Sequence, residues 1–175
     1  MKTVAELNEL RAASLKHIVL RKGAEALEAA KPDCTRNVLV CGGTGCTSSH
    51  SDVLVAKLRE EIKAAGLENE VNVIHTGCFG LCALGPIVIV YPEGAFYSRM
   101  SEENISRVVR EHLVEGKVCT DLLYQETVAE DGSIKSLSET DFYKKQVRVA
   151  LRNCGVINPE NIDEYIAVDG YRALG

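Results

Sequence analysis

At 175 residues and 46% hydrophobic, with 5% aromatic residues and a formal net charge of -5, the chain can bury one proper core. It lacks the basic, aromatic-interleaved surface of a nucleic-acid binder. Its opening, MKTVAELNEL, holds no long apolar run, and no later segment stays apolar for the length of a bilayer span, which predicts a cytoplasmic protein with no direct membrane insertion. Thiols stay reduced in that compartment, so seven cysteines, an odd number, argue for metal or redox chemistry over a disulfide framework.

Thr3 with Glu6 reads as a capping box, and Val4, Leu7, Leu15 and Ile18 recur at helical spacing, predicting a helix over residues 4–21. Gly23 breaks it before an alanine-rich turn over residues 24–30, and Pro32 ends the region. Residues 1–36 are therefore expected to be an N-terminal helical arm for packing or partner docking, with His17 on its surface.

Residues 37–41 read as a short apolar strand. Ser51 and Asp52 then cap a helix whose Leu54, Val55, Leu58, Ile62 and Ala65 share a face, and Gly66 stops it. Residues 71–75 form the next strand, so the unit is a right-handed βαβ crossover with parallel strands. Residues 87–91 read as a buried strand, Pro92-Glu93-Gly94 as a turn and residues 95–99 as the hairpin partner. Ser101, Glu102 and Glu103 open a helix with Ile105, Val108, Val109, His112 and Leu113 on one face, where His112 is a core or boundary side chain. The expected order is β-α-β-β-β-α, an α/β fold with a mixed sheet.

Residues 116–139 turn polar and short-patterned, a linker with a hairpin tip at Asp131-Gly132. Thr140 or Asp141 is expected to cap a helix through Val147, Val149 and Leu151, ending at Asn153 and Gly155. Asn158-Pro159 is expected to start another, giving a C-terminal helical extension.

The chemistry lies in two glycine-rich stretches at equivalent strand ends. NVLVCGGTGCTSSHS carries Cys41 and Cys46, spaced C-x4-C; TGCFGLCALGP carries Cys78 and Cys82, spaced C-x3-C, with 31 residues between the pairs. Strand ends of an open α/β sheet are where such folds place their sites. Four soft thiolates select iron-sulfur, zinc or copper(I), and Gly42, Gly43, Gly45, Gly77 and Gly80 let backbone N–H groups approach the sulfurs. Structural zinc more often uses C-x2-C pairs, so the wider spacing favours iron-sulfur, leaving zinc, 2Fe-2S and 4Fe-4S open. A nucleotide loop is not matched: Gly43 begins G-x-G-x-x-S, with no GK[ST]. The C-x-x-C of a disulfide exchanger is absent from the two loops. Cys34, Cys119 and Cys154 stand alone and read as structural, with Cys34 a possible spare ligand for Cys41. His50 and His75 flank the loops without the pairing of a Rieske site and read as outer-shell or surface groups.

NVLVCGGTGCTSS and TGCFGLCALGPIVIVYP resemble the thioredoxin-like 2Fe-2S ferredoxin domain of the flavin-binding subunit of NAD(P)-linked iron hydrogenases. Related domains occur in the NuoE and NuoF lineage of complex I and in NAD-dependent formate dehydrogenases. FYKKQVRVALRNCGVINPENIDEYIAVDGYRAL is similar to the start of the NuoF-like flavin and NADH module, so the likeness spans residues 37–174. It implies a 2Fe-2S cluster on Cys41, Cys46, Cys78 and Cys82 in a ferredoxin domain at 37–115, with 140–175 the truncated opening of the flavin domain. It also implies relay of electrons to other subunits of a hydrogenase, NADH dehydrogenase or formate dehydrogenase complex. FMN, NAD(P)H and further clusters are expected beyond this stretch of chain, so catalysis by the chain alone is not expected. A zinc-stabilised interaction domain is the alternative.

Overall fold

The computed structural model describes residues 3–174; Met1, Lys2 and Gly175, at the outer ends of the expected arm and extension, lie outside the described residues. Helix α1 (Val4–Ser14) carries the expected capping box, with Thr3 Oγ1 accepting from the Glu6 N–H and Glu6 Oε2 accepting from the Thr3 N–H. The helix does not run to residue 21. It gives way to tight turns at Leu15–His17 and Val19–Arg21 because Ile18, Val19, Leu20 and Arg21 are all buried, and four consecutive side chains cannot share one face of an α-helix. The expected alanine-rich turn is instead helix α2 (Ala24–Ala29), entered through Gly23. His17 is half-buried, its Nδ1 lying 2.5 Å from Asp33 Oδ2, so it is not a free surface ring.

Strand β1 (Arg36–Cys41) leads into α3 (Thr44–Ser48) and α4 (Ser51–Ala64). The one-turn helix α3 stands where the sequence reading places only loop, and it moves the cap. With α3 joined directly to α4 through His50 at φ +62°, no extended residue remains to serve as cap, and Ser51 Oγ is buried without a partner. Leu54, Val55, Leu58 and Ile62 are buried as expected; Ala65 lies past the helix and is exposed.

Strands β2 (Val71–Thr76), β3 (Val88–Tyr91) and β4 (Ala95–Tyr97) complete a four-stranded mixed sheet in the order β2-β1-β3-β4. β1 and β2 are parallel, with Cys41 opposite Thr76; β3 runs antiparallel to β1 and to β4. Helix α5 (Glu102–Val108), capped by Ser101 Oγ, widens into a π-helical turn over Val109–Val114. All five residues of its predicted face are buried.

The period-two alternation of β1 sorts its side chains. Val38 and Val40 join α4 and α5 in one core, whereas Leu39 and Cys41 face the other side with Ile74, Phe79, Ile87, Ile89 and Phe96. The first core contains the expected core histidine: His112 Nδ1 lies 2.7 Å from the Tyr97 hydroxyl.

Past Gly116 the chain follows the outer side of β4. Leu123 bridges Tyr97, Tyr124 joins the second core, and Val128 pairs with Ile134 around the turn at Asp131-Gly132. Helix α6 is only Asp141–Lys144. The predicted continuation through Val147, Val149 and Leu151 fails because these side chains are 92%, 74% and 55% exposed, leaving no packed face to support a helix. Helix α7 (Ile162–Ala167) starts three residues later than expected, capped by Asn161 Oδ1 on the Asp163 N–H; Asn158 Oδ1 instead closes a turn on the Glu160 N–H.

Candidate metal centre

The two cysteine loops leave the carboxyl ends of adjacent parallel strands, and the register brings them together. Cys41 ends β1 opposite Thr76, and the Gly42 N–H donates to the Thr76 carbonyl at 2.8 Å. Cys46 follows on α3, and Cys41 and Cys46 are both buried in the same core cluster. Cys78 is half-buried and Cys82 exposed, at the start of the turn Cys82–Leu84.

The glycines show how tightly the loops interlock. A β-carbon on Gly43 would stand 2.8 Å from Cys78 Sγ, and one on Gly85 would stand 2.8 Å from Cys46 Sγ. On Gly45 it would meet Cys82 Sγ at 3.4 Å. Each loop therefore seats a sulfur of the other against bare backbone, a cradle that any side chain would fill. Among the described residues, no three His, Cys, Asp or Glu side chains already converge as the shell of a single ion. What the loops gather is pairwise: Cys41 with Cys46, and Cys78 and Cys82 against the Gly43 to Gly45 turn.

Burial above all, then contact with Cys41, pushes the Cys46 thiol well above its ordinary pKa, with the Ile87 N–H pulling the other way. The Gly80 N–H donates to Cys78 Sγ at 3.2 Å, the one expected glycine N–H to sulfur bond that forms among the described residues. The donor set, four thiolates from two interlocked loops, fits an iron-sulfur centre.

The lone residues separate. Cys119 packs in the helix-side core beside Glu111, as a structural thiol. Cys34 accepts from Asn37 Nδ2 at 2.8 Å at the far end of β1, on the order of 20 Å from Cys41 at strand rise, too distant to be a spare ligand. Cys154 is different. Its Sγ lies 3.0 Å from where a Gly77 β-carbon would stand, beside the second loop. His75 packs against Gly42 with its Nε2 buried and unpartnered, whereas His50 is exposed. Tyr143, Phe142 and Gly155 also touch the second loop, contacts across more than sixty residues of chain that no local pattern announces.

A mixed sheet with α4 and α5 packed on one face and paired cysteine loops at its strand ends defines a small α/β iron-sulfur protein. The family model described as thioredoxin-like [2Fe-2S] ferredoxin matches residues 2–113, and the chain belongs to that family. Its cofactor is accordingly a 2Fe-2S cluster, which decides the choice that cysteine spacing left open. A 2Fe-2S ferredoxin of Clostridium pasteurianum is 41% identical over 73 residues, 42% of this chain and 72% of its own length. A putative 2Fe-2S ferredoxin of Priestia megaterium is 28% identical over 133 residues, 76% of this chain and 85% of its own. The NADP-reducing hydrogenase subunit HndC of Solidesulfovibrio fructosivorans is 55% identical over 38 residues, 22% of this chain but only 8% of that subunit. Among the described residues no helix is long and apolar enough to cross a membrane.

Proposed function

We propose that Cys41, Cys46, Cys78 and Cys82 ligate the 2Fe-2S cluster, and that the chain relays single electrons between a flavin and NAD(P)H site and other iron-sulfur clusters. Its setting is a cytoplasmic, multisubunit NAD(P)-linked hydrogenase or NADH dehydrogenase. The observation that carries the ligand assignment is the interlock of the two loops, in which Cys78 Sγ and Cys46 Sγ rest against Gly43 and Gly85. The likeness to the hydrogenase subunit supports the setting. In this reading residues 1–36 are the arm, 37–115 the ferredoxin domain, 116–139 the connection and 140–175 the opening of a NuoF-like flavin module.

When bound, the cluster supplies a one-electron couple. The protein's own work is then electrostatic and geometric. Cys41 and Cys46 hold their side of the site away from water, and the Gly80 N–H gives Cys78 a dipole that favours added negative charge. Cys82, the exposed ligand, marks the face through which an electron reaches a partner.

Absorption spectra of Cys41→Ser and Cys82→Ser test the ligand assignment. Both are expected to lose or weaken the visible iron-sulfur bands. Parent-like spectra and iron content in both variants contradict it.

A further inference from the structure

The second cysteine loop is gripped from outside by residues 142–157, which follow the stretch that the family model matches. The Phe142 ring lies over Gly80, 3.7 Å from a β-carbon position there. Thr76 Oγ1 donates to the Ile157 carbonyl at 2.9 Å and accepts from the Gly155 N–H at 3.2 Å. Gly155, at φ +77°, presents bare backbone to the Phe79 ring, which occupies the space a β-carbon would need.

One contact in this set reaches Cys78 Sγ through a single peptide group. The Tyr143 hydroxyl donates to the Phe79 carbonyl oxygen. The N–H of that same peptide unit, on Gly80, donates to Cys78 Sγ at 3.2 Å. A peptide group is planar and normally trans, so its C=O and N–H point in opposite directions, and fixing one aims the other. The two bonds in series also polarise the peptide, strengthening the N–H as a donor. Tyr143 is itself held, with the Arg148 guanidinium 5.2 Å from the centre of its ring and Arg148 Nη2 donating to the Cys154 carbonyl at 3.2 Å.

We infer that Tyr143 is a positioning residue for electron transfer: it holds the Phe79-Gly80 peptide so that the Gly80 N–H points at Cys78 Sγ, and through that bond raises the reduction potential. The sign follows from charge. Reduction adds an electron to the thiolate-bound centre, and a donor aimed at its sulfur stabilises the more negative state. The inference rests on Cys78 being a ligand.

The test is Tyr143→Phe, which removes only the hydroxyl and keeps the ring that shields the loop, with Tyr171→Phe on an exposed tyrosine as control. Optical redox titration, iron and sulfide counts, and hydrogen exchange of the Gly80 amide in the metal-free full chain are read together. Tyr143→Phe is expected to keep the parent iron and sulfide content, titrate at a lower potential and exchange the Gly80 amide about fivefold faster, the scale of one lost hydrogen bond. Tyr171→Phe is expected to change none of these. An unchanged potential and unchanged Gly80 exchange in Tyr143→Phe, or equal changes in Tyr171→Phe, overturn the inference. Retention of a full cluster by Cys78→Ser overturns the ligand assignment instead, and Gly80 exchange in the metal-free chain still reports whether Tyr143 holds the peptide.

Discussion

Arg21 and Glu164, 143 residues apart, face each other through two parallel hydrogen bonds of 2.7 and 2.8 Å, both side chains fully buried. The pair ties the N-terminal arm to α7, and Arg21 Nε reaches on to Asn37 Oδ1 at the foot of β1 at 2.6 Å. Glu164 also accepts from the Asn158 N–H, and Arg21 donates to the Val156 and His17 carbonyls, so every arm of the fork is used. Breaking one side strands a buried charge, so Glu164→Gln and Arg21→Met are each expected to destabilise the fold by about 3–5 kcal/mol. Urea unfolding followed by circular dichroism measures this. A loss no larger than that of an exposed charge variant such as Glu160→Gln means that the arm and α7 are not joined in solution.

Gly43→Ala places a methyl 2.8 Å from Cys78 Sγ, with the Cys78 β-carbon equally close, so the second loop must move. The variant is expected to fold with near-parent circular dichroism yet bind iron several-fold less well, measured as iron per chain after anaerobic reconstitution. Gly66→Ala is the control: Gly66 sits at φ +73°, where Gly43 is at φ -66°, and a β-carbon there meets nothing within 4 Å. It is expected to lose some stability and no iron.

Glu93 predicts an acid limb in stability. Burial pulls its carboxyl pKa up, but His112, its own backbone N–H and Arg36 outweigh that and hold it at about 2, below the ordinary 4.5. His112 Nε2 stands 3.7 Å away, an ion-pair separation and longer than a hydrogen bond, whereas Arg36 Nη2 is bonded at 3.0 Å. Because the folded value is depressed, the contribution is complete above about pH 4.5 and is lost as pH falls towards about 2. Glu93→Gln is expected to flatten that part of the profile while lowering stability at neutral pH, read from melting temperature against pH. A variant with the parent's acid slope contradicts the assignment to Glu93.

Much of this was legible because local patterns and long-range packing agree. The strands of β1 and β2, the α4 stripe and the α5 face all follow from apolar periodicity, since each has a partner surface waiting in the sheet. The cysteine loops were legible for the same reason, lying at equivalent strand ends. The failures share a physical cause. Val147, Val149 and Leu151 have helical-looking spacing but no surface to cover, and residues 18–21 needed tighter turns because all four side chains go inward. Cys154 and Tyr143 reach the second loop across the fold, a contact that exists only once the chain has closed.

Leu58, fully buried between α4 and the sheet, measures whether the core that backs the site is as tightly packed as it stands. Leu58→Ala is expected to cost about 2–5 kcal/mol. Denaturant unfolding of metal-free protein gives the number free of any cluster contribution, and a cost below the cost of a surface substitution contradicts that packing.

The most direct measurement is electron paramagnetic resonance of the dithionite-reduced protein, with iron and acid-labile sulfide counted on the same sample. Two irons and two sulfides per chain are expected, with a one-electron signal of a reduced 2Fe-2S centre that is lost when Cys41, Cys46, Cys78 and Cys82 are replaced together by serine. Zinc without sulfide in the parent, or the same signal persisting in the fourfold variant, contradicts that expectation.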